Sequence, residues 1–508
     1  MTNRFNVRRV AVLGAGVMGA QIAAHLVNVG VPVILFDLGP KNAIALKAID
    51  GLKKLKPSPI GLADEVALIQ PANYDEHLDL LAGCDLVIEA IAERMDWKHG
   101  LYARIASHIA PHAILASNTS GLSITKLGEV LPAELKPRFC GIHFFNPPRY
   151  MQLVELIPTP DTGAGVLDDL ETFVTRTLGK GVVRAQDTPN FIANRVGIAG
   201  MLATFAEVQK FGLGIDVVDD LTGKKMGRAS SGTFRTADVV GLDTLGHVIK
   251  TMQDNLGPGH ADDPFYPVFA TPPVLDGLLK AGALGQKTGA GFYKKAGKDI
   301  LRIDAATGDY VAAGKKADPI VDRMLKKAPA ERLKLLREST NPQAQFVWSI
   351  LRDSFHYCAV HLGAIADTAR DVDLAMRWGF GMKQGPFELW QQAGWQQVAQ
   401  WIADDIAAGK TLSAAPLPAW VTDGPVPQKG VHTPEGSWSA AESRYKPRRA
   451  LPVYGRQPYP EMLDGEGGKP PLADGTELFR NDDIRVWTRD GEVVIASITC
   501  TMHLIGPG

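Results

Sequence analysis

One short run restricts the fold of this chain more than any other feature: Gly14-Ala15-Gly16-Val17-Met18-Gly19 stands between an apolar strand-like stretch, residues 8 to 14, and a helical pattern from Ala20 to Val29. A Gly-x-Gly-x-x-Gly run in that context takes a strand into a helix within one tight turn. Gly14 makes the turn, Gly16 lets an anionic group approach the backbone, and Gly19 allows close packing of the helix. Val17 and Met18 open the helix, whose N-terminal amides and dipole favour an anion.

The next apolar run, Val33 to Asp37, reads as a second parallel strand closed by an acidic residue. A carboxylate at that place accepts from ribose hydroxyls and repels a 2′-phosphate, so the expected cofactor is NAD rather than NADP. Further apolar runs at Leu86 to Ala90, Ala113 to Ser117 and Cys140 to Phe144 alternate with helical segments. That alternation predicts a doubly wound, Rossmann-type α/β domain over residues 1–186.

With 508 residues the chain is too long for one core, and more than one domain is expected. Apolar residues make up 45%, charged residues 21%, and the net charge is -1, which gives no basic excess for nucleic acid. The first residues lack a signal-like apolar core, and no apolar run reaches the roughly 18 residues of a membrane span, so no membrane insertion and a cytoplasmic enzyme are expected. Cys84, Cys140, Cys358 and Cys500 are scattered without a CxxC pair, so neither a disulfide nor a metal is expected.

From Thr188 onward strand signals vanish and helical patterns take over. Two stretches, one from Val218 (VDDLTGKKMGRASSGTFRTADVVG) and one from Val372 (VDLAMRWGFGMKQGPFELWQQAG), repeat the order helix, Met-containing glycine turn, Gly-x-Phe, helix. They predict duplicated all-α units at residues 187–296 and 297–412. The Pro- and Gly-rich residues 413–475 read as an extended linker. Beyond it, two strands with Asp490-Gly491 between them predict a short β-hairpin in residues 476–508.

Four polar residues are candidates for chemistry. His143 follows a strand in GIHFFNPP, and Glu155 lies in the apolar run MQLVELIP. Oxidation of a secondary alcohol needs a base for the hydroxyl proton, and an imidazole oriented by a carboxylate suits it. Ser120 in ASNTSGL and Asn194 in FIANR complete the set. Taken singly, each also fits a structural role as a strand-end residue or a cap.

The order GAGVMG, VILFD, VIEAIAE, ASNTSGLSIT, GIHFFNPPRYMQLVELI, DTPNFIANR and KTGAGFY resembles the 3-hydroxyacyl-CoA dehydrogenase family over residues 8–296, and more loosely to about 405. The resemblance implies NAD-dependent oxidation of (S)-3-hydroxyacyl-CoA to 3-oxoacyl-CoA in fatty-acid β-oxidation, with His143 as base and Glu155 as its orienting partner. It implies that Ser120 and Asn194 hold the substrate oxygens, and that Glu89, Lys98, Asn118, Asn146 and Lys287 contact the cofactor. A homodimer or a β-oxidation complex is the implied assembly. The tail resembles the start of a crotonase-type enoyl-CoA hydratase cut short, so the chain is expected to oxidise hydroxyacyl-CoA without hydrating enoyl-CoA.

This sequence departs from the family's pattern in three places. The lysine-rich hairpin that grips CoA is reduced to Lys47 to Pro57, leaving Lys53, Lys54 and Lys56 as candidate CoA contacts. Asp96 stands where the family has a lysine. The first unit reads Met226-Gly-Arg-Ala-Ser-Ser-Gly-Thr-Phe-Arg where the second keeps Gln384-Gly-Pro-Phe-Glu-Leu389, which predicts an altered acyl pocket. Two other readings stay open from sequence: oxidation of a small hydroxy acid such as a sugar acid, and a catalytically silent NAD-binding scaffold.

Overall fold

A computed structural model describes residues 5–259, 262–457, 460–467, 475–488 and 491–500. Eight strands build the N-terminal sheet: β1 (Val10–Leu13), β2 (Val33–Asp37), β3 (Ile69–Asn73), β4 (Leu86–Glu89), β5 (Ile114–Ser117), β6 (Phe139–Phe144), β7 (Leu153–Pro158) and β8 (Gly181–Arg184). Their order is β3-β2-β1-β4-β5-β6-β7-β8, parallel throughout except between β6 and β7. The central strands are continuous apolar runs because both faces of the sheet are covered. β3 gave no signal in the sequence because Gln70 and Pro71 interrupt it, a composition tolerated at the sheet edge where it lies.

The helices of this domain are α1 (Val17–Val27), α2 (Ala43–Leu52), α3 (Met95–Ile105), α4 (Ile124–Gly128) and α5 (Ala164–Arg176). α1, α2 and α5 bury Ile22, Leu26, Ile49 and Leu170 against Val12, Leu35 and Ile88 on one face. On the other face α3 and α4 meet Leu13, Phe36 and Leu115 in a core that runs on into the helical region.

That region contains α6 (Ala193–Phe211), α7 (Ile215–Thr222), α8 (Phe234–Val240), α9 (Leu242–Leu256) and α10 (Pro273–Lys280). After a small sheet come α11 (Pro319–Leu325), α12 (Pro329–Glu338), α13 (Pro342–Ile365), α14 (Ala369–Phe380) and α15 (Pro386–Ala407). The small antiparallel sheet, β9 (Tyr293–Ala296), β10 (Asp299–Ile303) and β11 (Tyr310–Ala312), corrects the expectation that strands end near Thr188. Its strands are short and largely exposed, so they carry little apolar alternation to read.

The two helical units repeat at atomic level. Asp219 on α7 accepts from the amides of Phe234 and Arg235 at 2.6 and 3.0 Å and so caps α8. Asp373 on α14 accepts from Phe387 and Glu388, both at 2.9 Å, and caps α15 in the same way. A Cβ on Gly232 would collide with Asp219 and one on Gly385 with Asp373, which explains the shared Gly-x-Phe. The third partner differs: Tyr293 Oη donates to Asp219 at 2.8 Å, whereas His432 Nε2 lies 2.7 Å from Asp373.

His432 belongs to the stretch expected to be an extended linker, and that expectation is corrected. Residues 432–446 form a three-stranded sheet, β12 (His432–Thr433), β13 (Gly436–Ser439) and β14 (Arg444–Lys446). Trp438 is buried, and a file of rings at 4.2 to 6.5 Å runs Trp390, Trp395, Trp420, Trp438, Tyr445. This segment completes the second unit as Tyr293 completes the first. Farther on, Arg449 pairs with Glu171 of α5 at 3.1 Å and ties it to the nucleotide-binding domain.

The C-terminal strands are β15 (Thr476–Arg480), β16 (Ile484–Thr488) and β17 (Val494–Ile498), one more than the expected hairpin. Asp490 and residues 501–508 lie outside the described residues. Among the described residues no helix is long and apolar enough to cross a membrane.

Candidate active site

The glycine loop sits where strand order reverses, between β2 and β4 on either side of β1. Open α/β sheets bind ligands in that crevice. Gly14 has φ of +103°, and a Cβ there would lie 2.8 Å from the Ala90 carbonyl oxygen. On Gly19 a Cβ would lie 1.8 Å from the Gly14 oxygen, while on Gly16 it would meet nothing within 4 Å. Thus Gly14 and Gly19 close the turn and Gly16 leaves a bare approach to the backbone. Val17 is exposed and Met18 partly so. α1 has neither a side-chain cap nor an acidic residue in its first turn, so its N-terminal amides remain for an anion. Asp37 accepts from the amides of Ala15 and Leu38 at 2.6 Å each, which fixes its carboxylate beside the loop. These residues fit a bound dinucleotide.

His143 and Glu155 are direct partners across the β6–β7 pair. The imidazole Nδ1 lies 2.7 Å from Glu155 Oε2, and both side chains are buried. The other carboxylate oxygen accepts from the amides of Ile192 and Ala193 at 3.1 and 2.8 Å, at the start of α6. The helix N-terminus and the imidazole together hold this carboxylate in one orientation. It fixes the tautomer with Nδ1 protonated and leaves Nε2 as the free base. The His143 ring packs on Phe145 and Phe191, with centroids at 4.4 and 5.7 Å.

Asn194 lies in the first turn of α6, directly after the amides that bind Glu155. Ser120 follows β5, the neighbour of β6, and its amide donates to Glu93. Thr119 Oγ1 donates to the same carboxylate at 2.6 Å. Asn118 Oδ1 accepts from the Phe144 amide at 2.9 Å and locks this loop to the histidine strand. Asn146 is exposed and accepts from Gln21 of α1 at 3.2 Å, so the turn after β6 reaches the nucleotide helix.

Other expected cofactor contacts are placed differently. Glu89 and Lys98 form a fully buried ion pair at 2.6 Å. Glu89 also accepts from Tyr102 Oη, Ser117 Oγ and the Ile91 amide at 2.8, 2.7 and 2.7 Å. These bonds brace the Ala90 turn against Gly14. Lys287 donates to both oxygens of Asp243 at 2.6 Å, within the first helical unit. Lys53 and Lys54 are exposed just past α2, and Lys53 lies 3.5 Å from Asp50. Asp96 is paired with Arg94 at 2.7 Å.

Four residues with positioning roles were not singled out in the sequence. Glu93 holds the Ser120 loop, and Asp187 accepts from Ser123 Oγ and the amides of Ile124 and Thr125 at 2.8 to 2.9 Å. Phe191 and its neighbour Asn190 have φ of +53° and +60°, a strained pair that turns the chain so that the next two amides face Glu155. The signal available for this turn was the run Asp187-Thr188-Pro189-Asn190, a cluster of turn-forming residue types.

A dinucleotide crevice beside a buried His–Glu pair defines a nicotinamide-dependent oxidoreductase. Residues 9–188 match the family model for the 3-hydroxyacyl-CoA dehydrogenase NAD binding domain, and residues 191–295 match that for its C-terminal domain. A probable 3-hydroxyacyl-CoA dehydrogenase of Deinococcus radiodurans is 40% identical over 58% of this chain and 85% of its own length. The chain therefore belongs to the 3-hydroxyacyl-CoA dehydrogenase family, and NAD is its cofactor. A probable 3-hydroxyacyl-CoA dehydrogenase of Bacillus subtilis is 37% identical over 82% of this chain and 54% of the relative, so the chain spans about half the length of that relative. The solved 3-hydroxybutyryl-CoA dehydrogenase of Escherichia coli K12 shares the fold, with a TM-score of 0.60 and 24% identity over 80% of this chain and 95% of its own.

Proposed function

We propose that this chain catalyses NAD-dependent oxidation of (S)-3-hydroxyacyl-CoA to 3-oxoacyl-CoA, with His143 as the base. The observation that carries this reading is the buried His143–Glu155 pair held by the start of α6. His143 Nε2 takes the proton from the 3-hydroxyl, and the anionic Glu155 stabilises the imidazolium that results. NAD, held by the Gly14–Gly19 loop and Asp37, would supply the acceptor for the hydride that leaves carbon 3. Ser120 and Asn194, on the loop and helix that flank the pair, are assigned to the substrate oxygens. Asn118 and Asn146 position the turns that border the crevice.

The relatives named above favour an acyl-CoA over a small hydroxy acid, and the intact His–Glu geometry argues against a silent scaffold. The test is NADH oxidation by the purified chain with 3-oxoacyl-CoA substrates of increasing length, beside a sugar-acid substrate. Saturable turnover of acetoacetyl-CoA is the expected result; turnover confined to the sugar acid, or NADH binding without turnover, contradicts it.

A further inference from the structure

A cavity opens between the two helical units, with about 650 Å³ free of protein atoms, its mouth included. Its floor is α6. Asn194, Gly197, Met201 and Thr204 fall on one face of that helix, and the last three line the cavity. At 1.5 Å per residue the lined stretch begins about 4.5 Å beyond Asn194 and reaches about 15 Å from it. Gly200 adds no side chain to fill the space, and Met376, Phe380 and Met382 form the wall contributed by the second unit.

Arg228 is the one charged residue among those lining this cavity. It stands in the stretch where the first unit departs from Gln384–Leu389 of the second. Burial pulls its pKa down to about 10, with no neighbouring carboxylate to oppose the shift. It is therefore cationic at neutral pH and has no ion-pair partner among the described residues. The nearby hydroxyls of Thr204, Thr233 and Thr236 already have partners, at Gly200 O, Thr222 Oγ1 and Gly232 O. Arg228 is only partly exposed, and a guanidinium that faces this lining without a carboxylate is open to pairing with an anion that enters the cavity.

We propose that this cavity receives the far end of the acyl chain, and that Arg228 pairs there with a terminal carboxylate, so that the preferred substrates are ω-carboxylated 3-hydroxyacyl-CoA thioesters. The inference rests on the acyl-CoA reading above and on the cavity's place along α6 beyond Asn194. The test uses the purified 508-residue chain and pairs of 3-oxoacyl-CoA substrates matched in length, one ending in methyl and one in carboxylate. Once the chain is long enough to reach Arg228, the wild type should favour the carboxylate by about tenfold or more in kcat/KM, as a charge-assisted hydrogen bond provides. Arg228→Met should bring that ratio to one or below, and Arg228→Lys should retain part of the preference. Turnover of acetoacetyl-CoA with no carboxylate preference at any length, or a preference that survives Arg228→Met, overturns the proposal alone. Failure of the wild type to turn over acetoacetyl-CoA overturns the dehydrogenase reading together with it.

Discussion

His143 illustrates how much one side chain owes to its neighbours. Its orientation is set by Glu155, and Glu155 is held in turn by two amides that the Asn190-Phe191 turn brings into line. Glu155→Gln keeps the shape and removes the charge, so kcat should fall by about 10²-fold or more while NADH affinity holds; a stopped-flow titration and a steady-state assay separate the two. At the nucleotide end, Asp37 should favour NAD over NADP by about a hundredfold in kcat/KM. Equal efficiency with both cofactors would remove the role given to that carboxylate. Gly19→Ala forces a Cβ into the Gly14 carbonyl, and NADH affinity should drop at least about tenfold by fluorescence titration. The glycines and Asp37 were legible because their chemistry lies in residue type and spacing, whereas the pairing of His143 with Glu155 came from the resemblance of the ordered motifs. Glu89 and Lys98 were not legible, because no sequence pattern says whether a charged side chain faces a ligand or, as here, another buried charge.

Among the elements, the strands of the nucleotide domain were readable wherever both faces are covered, since burial demands unbroken apolar runs. Edge strand β3 and the exposed β9, β10 and β11 escaped for the opposite reason. The segment from 413 onward misled more deeply: its prolines and glycines look like a linker, yet Trp420 and Trp438 anchor it, and His432 closes the cap on Asp373. Trp438→Ala should therefore lower the free energy of unfolding by about 3–5 kcal/mol in a denaturant titration. A loss within about 0.5 kcal/mol, as for an exposed linker residue, would reject that role. The duplicated units were visible as two similar stretches, but their equivalence became physical only through the paired caps of Asp219 and Asp373.

For the whole molecule, the core that joins one face of the sheet to the helices makes stability a shared property, and two buried histidines make it pH-dependent. Burial is the main cause that pulls the pKa of His25, with help from the Lys180 charge, and of His356 from 6.5 to about 4. Between those values the unfolded chain binds more protons than the native one. Their contribution is thus complete above about pH 6.5, shrinks as pH falls toward 4, and changes no further below that, amounting to a few kcal/mol at most. Asp353 and Asp219, raised by burial to about 7 and about 6, act in the opposite sense over the same window, so the expected calorimetric result lies in a difference: between pH 6.5 and 4 the melting temperature of His25→Gln should rise relative to that of the wild type, and parallel profiles would contradict it. The central claim, that His143 is the base of a 3-hydroxyacyl-CoA dehydrogenase, is tested most directly by kcat for acetoacetyl-CoA-driven NADH oxidation in the wild type and His143→Ala. The expected result is a loss of about 10²- to 10⁴-fold with NADH binding intact, and near-normal turnover in His143→Ala would contradict the claim.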